Sequence, residues 1–158
     1  IEGKTLEQWM ADQTEPDLTV IRNIISQAVS GLRAFHRLDM LHQDIKPGNI
    51  MITTEGLVKI VDFGSTKIAG IADVSTPIER QELLGTKHYT APEYLTDGVG
   101  TTQSDLFALG CVSYEMITGR KPHEKITRIR QLRPDMILLS EVPIEAPILL
   151  LLKVLSVI

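Results

Sequence analysis

Residues 42–49 of the chain read HQDIKPGN. The Pro-Gly pair and the lack of a helical apolar stripe predict a loop. This loop combines the carboxylate of Asp44, the ammonium of Lys46 and the carboxamide of Asn49. Phosphoryl transfer requires such a set, because a carboxylate orients the acceptor hydroxyl, a cation faces the phosphoryl oxygens and oxygen ligands hold a metal ion. The loop is therefore the candidate centre of the chemistry.

Two short β-like runs follow this loop. Residues 50–53 and 57–61 flank the turn-forming triplet TEG, which predicts a β-hairpin. Asp62 comes directly after the second run, at the start of the triplet DFG. We expect the hairpin to carry Asp62 back beside the loop, where its carboxylate and Asn49 would supply the hard oxygen ligands that Mg²⁺ prefers. Gly64 would then let the chain turn sharply.

Three segments carry helical patterns. Thr5, with Gln8 three residues later, predicts the start of a short helix. Asp17 is a candidate cap for a second helix, because apolar residues then recur with the 3.6-residue period to near His36. This pattern predicts a long, half-buried helix. Residues 104–118 are apolar almost all round and are followed by Gly119, a pattern typical of a helix at the centre of a fold.

The composition limits the class of protein. Lys and Arg number 16 against 20 Asp and Glu, so the formal net charge is −4. This balance argues against a nucleic-acid partner, because domains that bind nucleic acid are usually basic. The most apolar run, residues 148–158, is shorter than the ~20 residues of a bilayer span and is interrupted by Lys153, so no membrane span is predicted. Cys111, the single cysteine, is predicted to be a small core residue of the apolar helix.

Other segments have weaker patterns. Residues 65–89 are polar and mixed, and an irregular loop of that length is usually functional. Residues 91–95 are compatible with one helical turn. Basic residues between 120 and 133 indicate a solvated helical face, with a docking surface for an acidic substrate or another domain as the alternative. Three histidines have no metal-ligand spacing and are predicted to be surface or packing residues: His36, His88 and His123.

The motifs together resemble a known family. HQD through Asn49, then DFG at 62–64, then APE at 91–93 is similar to the ordered signature set of eukaryotic-like protein kinases. Lys46, the pair GT at 85–86 and the pair YT at 89–90 resemble the serine/threonine branch. The amino-acid sequence around DFG and APE looks most like that of bacterial kinases, including those fused to a metal-dependent protein phosphatase.

The resemblance implies an α+β fold. Residues 1–158 would form a partial protein kinase domain, which runs from the edge of the hinge through the C-terminal lobe and is truncated at both ends. That lobe is mainly α-helical with a short β-hairpin. The family's glycine-rich loop, strand lysine and helix glutamate belong to an N-terminal lobe that this chain lacks, so we expect the isolated chain to be inactive.

The resemblance also implies roles for single residues. Asp44 would be the catalytic base, and Lys46 would contact the γ-phosphate of ATP. Asn49 and Asp62 would hold Mg²⁺. The substrate loop would include Gly85, Thr86 and Thr90, of which Thr90 would link the loop to Asp44 and Lys46. The structural residues would be His42, Phe63, Gly64, Glu93 and Asp105.

Taken with the resemblance, these roles imply transfer of the γ-phosphoryl group of Mg-ATP to Ser or Thr hydroxyls of a protein substrate. We expect a cytoplasmic protein, or the cytoplasmic side of a membrane-anchored one. A small-molecule kinase of similar fold is the alternative among enzymes. A pseudokinase, which binds partners without catalysis, is the alternative outside enzymes.

One departure from the family concerns regulation. Gln43 stands where the family usually has an arginine before the catalytic aspartate. Gln43 carries no charge and cannot pair with a phosphate on the activation loop. We therefore expect activity that does not require phosphorylation of that loop.

Overall fold

The part of the chain that the structure describes contains three α-helices and five short strands. The computed structural model describes residues 2–15, 17–68, 88–91 and 100–121. The helices are α1 (Leu6–Ala11), α2 (Leu18–His36) and α3 (Thr102–Thr118). The strands are β1 (Gly3–Thr5), β2 (Met40–Leu41), β3 (Ile50–Thr53), β4 (Val58–Ile60) and β5 (Lys67–Ile68). Single turns of 3₁₀-helix occupy Pro47–Asn49 and Phe63–Ser65.

The strands form two small antiparallel sheets. The predicted hairpin of β3 and β4 is confirmed, with Ile50 opposite Ile60. Strand β1 adds to the other side of β3, and the sequence pattern did not predict this because β1 is only three residues long. Strand β5 pairs with β2, so the prediction of irregular structure over residues 65–89 is wrong at Lys67–Ile68.

Local sequence signals fix the helix ends. Thr5 and Gln8 form the predicted capping box of α1. The carboxylate of Asp17 caps α2, which runs to His36 as predicted. Helix α3 begins two residues earlier than predicted, with a capping box at Thr101, and ends at a left-handed glycine with φ of 66°.

The core lies where α2 packs against α3. Both helices bury apolar residues there, and α3 is buried around most of its circumference, as the sequence predicted. Cys111 is fully buried, and this burial raises the pKa of its thiol to about 12. The largest fully buried apolar side chains are Leu6, Ile21, Leu32, Leu41, Ile45, Ile50 and Leu109.

Some predictions fall on other parts of the chain. The helical turn at 91–95 beyond Ala91, the basic segment beyond Lys121 and the apolar run at 148–158 lie outside the described residues. Within those residues, no helix has both the length and the apolar character needed to cross a bilayer.

The close approach of β1 to β3 gives a first prediction. A Cβ at Gly3, whose φ is 151°, would lie 2.3 Å from the carbonyl oxygen of Ile52. We expect Gly3→Ala to lower the free energy of unfolding by about 3 kcal/mol, because backbone strain and overpacking add. Gly56→Ala is the control, since its φ is 80° with no atom within 4 Å. We expect it to cost only about 1 kcal/mol.

Urea denaturation of the chain, followed by circular dichroism, measures both changes. Equal losses in the two variants would show that β1 does not pack against β3 as described.

Candidate active site

The loop at residues 42–49 holds its carboxylate in a fixed orientation. Lys46 Nζ lies 2.7 Å from Asp44 Oδ2. Asn49 Nδ2 donates to the same oxygen at 2.8 Å and to the backbone carbonyl of Asp44 at 2.9 Å. Both side chains therefore use Oδ2, and no described residue bonds Oδ1 of Asp44. Among the described residues, the second oxygen is left with the capacity to accept a further hydrogen bond.

His42 joins this loop to the end of the hairpin. Its ring is fully buried and donates from Nε2 to the carbonyl of Val61 at 3.1 Å. Nδ1 accepts the backbone N–H of Asp44 at 3.3 Å. The two bonds assign the Nε2–H tautomer, because a carbonyl can only accept and an N–H can only donate.

Asp62 stands beside Asn49, as the hairpin predicts. The N–H of Val61 donates to the carbonyl of Asn49 at 2.9 Å, so Asp62 is the next residue after this bond. Asp62 has a left-handed backbone with φ of 65°. Its Oδ1 accepts the N–H of Gly64 at 3.3 Å, and the side chain is exposed.

The donor set beside the loop fits a magnesium ion. Nδ2 of Asn49 donates two hydrogen bonds to Asp44, so the carboxamide oxygen is left for a metal. Asp62 adds an exposed carboxylate. Mg²⁺ prefers hard oxygen ligands and keeps several of its waters, so one carboxylate and one amide oxygen are a suitable protein contribution. Lys46, whose side chain is 33% exposed, adds a cation for phosphate oxygens.

An aromatic cluster lies behind the DFG triplet. Phe63 stacks on Phe35 with ring centroids 5.3 Å apart and meets the ring of His42 at 5.6 Å. His42 is 1% exposed, whereas Phe63 is 52% exposed. Phe63 therefore packs against the described residues with only part of its surface.

Asp105, at the start of α3, holds the backbone of the loop. Its carboxylate is 2% exposed and accepts three hydrogen bonds. Oδ1 accepts the N–H of Gln43 at 2.8 Å, and Oδ2 accepts the N–H of His42 and Nε2 of His36, both at 2.9 Å. Gln43 has a φ of 66°, which is unfavourable for a residue with a side chain. The buried carboxylate therefore stabilises a strained loop.

His36 makes a distant contact that the sequence analysis did not name. It was predicted to be a surface or packing residue, and the structure shows packing: its ring bonds Asp105 and its side chain is 12% exposed. No local pattern indicates this contact, because the two residues are 69 positions apart.

Residues 88–91 are linked to α3 through Tyr89. Tyr89 is buried and its hydroxyl donates to the carboxylate of Glu115, a pair that the sequence analysis also missed. Burial, followed by the bond to Glu115, raises the pKa of the Tyr89 phenol well above its usual range. Thr90 is half-buried beside Tyr89, and its predicted link to Asp44 and Lys46 stays a prediction. Three predicted residues lie outside the described residues: Gly85, Thr86 and Glu93.

The bonds of Asp105 give a second prediction. Asp105→Asn keeps the shape, but its amide group offers one acceptor oxygen and places a donor against the other backbone N–H. We expect the free energy of unfolding to fall by about 2 kcal/mol, because a buried donor loses its partner. Urea denaturation measures the loss, and the amides of His42 and Gln43 should exchange faster with solvent.

Asp17→Asn is the matched control. It makes the same chemical change at an exposed N-cap, where Asp and Asn are about equally good. A loss of stability as large at Asp17 as at Asp105 would contradict the bracing role.

Comparison with known protein families agrees with this geometry. The family model described as "Protein kinase domain" matches residues 1–146. The serine/threonine-protein kinase PknA of Corynebacterium glutamicum is 36% identical over 144 residues, which cover 86% of this chain and 30% of PknA. PrkC of Bacillus subtilis, also named a serine/threonine-protein kinase, is 36% identical over 124 residues, or 78% of this chain and 19% of PrkC.

A third bacterial relative gives the same result. The probable serine/threonine-protein kinase PknB of Bifidobacterium longum is 38% identical over 126 residues, or 73% of this chain and 18% of PknB. The chain spans less than a third of the length of these curated relatives. On the family match and these identities, the chain belongs to the protein kinase family.

Proposed function

We propose that this chain forms most of the C-terminal lobe of a serine/threonine protein kinase. The protein that contains it would transfer the γ-phosphoryl group of Mg-ATP to Ser or Thr hydroxyls of protein substrates. The observation that carries the proposal is the carboxylate of Asp44. Lys46 and Asn49 hold it through Oδ2, and no described residue bonds Oδ1.

Each residue of the site has a distinct role in this proposal. Asp44 orients the acceptor hydroxyl and accepts its proton at Oδ1. Lys46 is 33% exposed and would contact the negative oxygens of the phosphoryl group. Asn49 and Asp62 would hold Mg²⁺, which supplies positive charge next to the phosphates. His42 and Asp105 act indirectly. Asp105 fixes the backbone just before Asp44, and the ring of His42 joins Asp44 to Val61, the residue before Asp62.

The two alternatives are less well supported. A pseudokinase usually lacks one of the four reactive residues, and all four stand in this sequence: Asp44, Lys46, Asn49 and Asp62. Lys46 and the sequence GTKHYTAPE at 85–93 argue against a small-molecule kinase, because together they suit a polypeptide acceptor that lies across the loop. Because the reaction consumes ATP, we place the activity in the cytoplasm or on the cytoplasmic side of a membrane-anchored protein.

A third prediction tests the proposed reaction. The assay follows γ-phosphate transfer from Mg-ATP to a generic Ser/Thr protein substrate by the full-length protein that contains this chain. We expect Asp44→Ala to reduce the rate at least about a hundredfold, since a positioned general base contributes about 10²–10⁴. Full length is needed because the surfaces that position both reactants extend beyond one lobe.

Asp12→Ala is the matched control for this assay. The side chain of Asp12 is exposed and, within the described residues, pairs only with Lys4, so we expect the rate to stay within about twofold. If the wild-type protein folds and binds ATP but transfers no phosphate to any acceptor, the pseudokinase hypothesis replaces the proposal. Transfer to a small molecule alone would support the small-molecule kinase.

A fourth prediction concerns regulation. Because Gln43 is uncharged, a phosphate on the activation loop would find no cation at this position. We expect phosphatase treatment of the full-length protein to leave its activity within about twofold. Mass spectrometry should verify that the four hydroxyl residues Ser65, Thr66, Ser75 and Thr76 carry no phosphate. A loss of activity after phosphatase treatment would contradict this prediction and would show that another cation binds the phosphate.

A further inference from the structure

The outer edge of the hairpin has a side-chain partner on α2. Among the described residues, β4 is the last strand of the sheet β1-β3-β4. Its inward bonds are made at alternate residues: the carbonyl of Leu57 accepts from Thr53, and the N–H of Val61 donates to Asn49. In an antiparallel pair the alternate residues, here Val58 and Ile60, point their backbone N–H and C=O groups away from the partner strand. The N–H of Val58 therefore faces away from β3.

Gln27 on α2 pairs with this outward edge. Its Oε1 accepts the N–H of Val58 at 3.0 Å. Its Nε2 donates to the carbonyl of Gly56 at 3.3 Å and to Oδ1 of Asn23 at 3.4 Å. One carboxamide thus bonds two backbone groups on either side of Leu57, as the N–H and C=O of one residue in a neighbouring parallel strand would.

A second contact fixes the other end of β4. Gly31 lies one helical turn after Gln27, on the same face of α2. A Cβ at Gly31 would lie 3.7 Å from Cδ1 of Ile60, which is ordinary van der Waals contact, so the side chain of Ile60 lies against this turn of the helix. Helix α2 therefore holds β4 at its first residue, Val58, and at its last residue, Ile60.

The held strand leads directly to Asp62. Val61 follows Ile60 and is bonded on both sides, by the backbone of Asn49 and by the ring of His42. The path from Val58 to Asp62 covers about 13 Å at ~3.3 Å per residue of extended chain. A misplacement of about 1 Å in a reacting group can cost about a hundredfold in rate. The position of the strand edge therefore matters for the carboxylate at its end.

We propose that Gln27 is a positioning residue for Asp62. Its carboxamide sets the position of β4 on α2 and thereby the position of the Asp62 carboxylate beside Asn49. The link to Mg²⁺ rests on the proposed function, whereas the link from Gln27 to the strand end does not.

The first test measures amide hydrogen exchange by NMR in the chain, without nucleotide. In Gln27→Ala we expect the Val58 amide to exchange about tenfold faster, because its acceptor is gone. The amide of Val61, whose own acceptor is intact, should exchange about fivefold faster if the strand moves as a unit. The buried amide of Cys111 on α3 serves as the reference for global destabilisation.

Ser30→Ala is the matched control on the same helix. In the part of the chain that the structure describes, the Ser30 hydroxyl bonds only the carbonyl of Ser26 within α2, so both strand amides should keep their wild-type rates. Gln27→Glu keeps the acceptor for Val58 but turns an oxygen toward Gly56, and should fall between wild type and alanine. An unchanged Val61 rate in Gln27→Ala, relative to Cys111, would overturn the proposal.

The second test uses the full-length protein and a magnesium titration of phosphate transfer. We expect Gln27→Ala to raise the half-saturating Mg²⁺ concentration about fivefold, with the KM for the protein substrate unchanged. A purely structural role would lower the amount of active protein and leave the magnesium dependence where it was. That result would overturn the proposal even if activity fell.

The two tests separate the failure of this inference from that of the proposed function. A wild-type protein that transfers no phosphate would overturn the proposed function, while the exchange rates still decide whether Gln27 positions the strand end. A wild-type protein that is active, with unchanged Val61 exchange in Gln27→Ala, would overturn only the role of Gln27.

Discussion

The described structure depends on one buried carboxylate. Asp105 is almost inaccessible to solvent, and a charge in that position is tolerated only when hydrogen-bond donors surround it. Two donors are backbone N–H groups of the loop, and the third is the ring of His36 at the end of α2. Helix α3, helix α2 and the loop therefore meet at one group. The strained backbone of Gln43 persists because that group accepts its N–H.

A second set of bonds connects this fixed loop to the hairpin. His42 donates its backbone N–H to Asp105 and uses its ring to join Asp44 with Val61. The carbonyl of Asn49 accepts from Val61 as well. The loop and the strand end thus share one hydrogen-bonded frame, on which Asp44 and Asp62 stand in defined relative positions. Gln27 extends the frame to the far end of β4.

The sequence predicted the local parts of this arrangement and missed the distant ones. The caps at Thr5 and Asp17 were found because cap and partner lie within three residues of each other. The hairpin was found because its turn is short. The bond between His36 and Asp105 spans 69 residues, and that between Gln27 and Val58 spans 31. Such contacts follow from how helices pack, which a residue pattern does not encode.

The same reasoning applies to the candidate site. Residue type and order were enough to predict the four candidate site residues Asp44, Lys46, Asn49 and Asp62. The orientation of their side chains could not be predicted, because it depends on which atom of each side chain is already bonded. That Asn49 uses its nitrogen on Asp44, and so leaves its oxygen, follows only from the three-dimensional arrangement.

The charges of the site divide into fixed and adjustable ones. Asp105 is buried and bonded three times, so displacing it would leave several donors unpaired. The pair of Lys46 and Asp44 is partly exposed, at 33% and 14%, and ion pairs in contact with water contribute little to stability. Lys46 can therefore turn toward a phosphate at small cost while Asn49 keeps Asp44 in place. In the proposed reaction this division lets the ammonium follow the phosphoryl group while the carboxylate that receives the proton stays fixed.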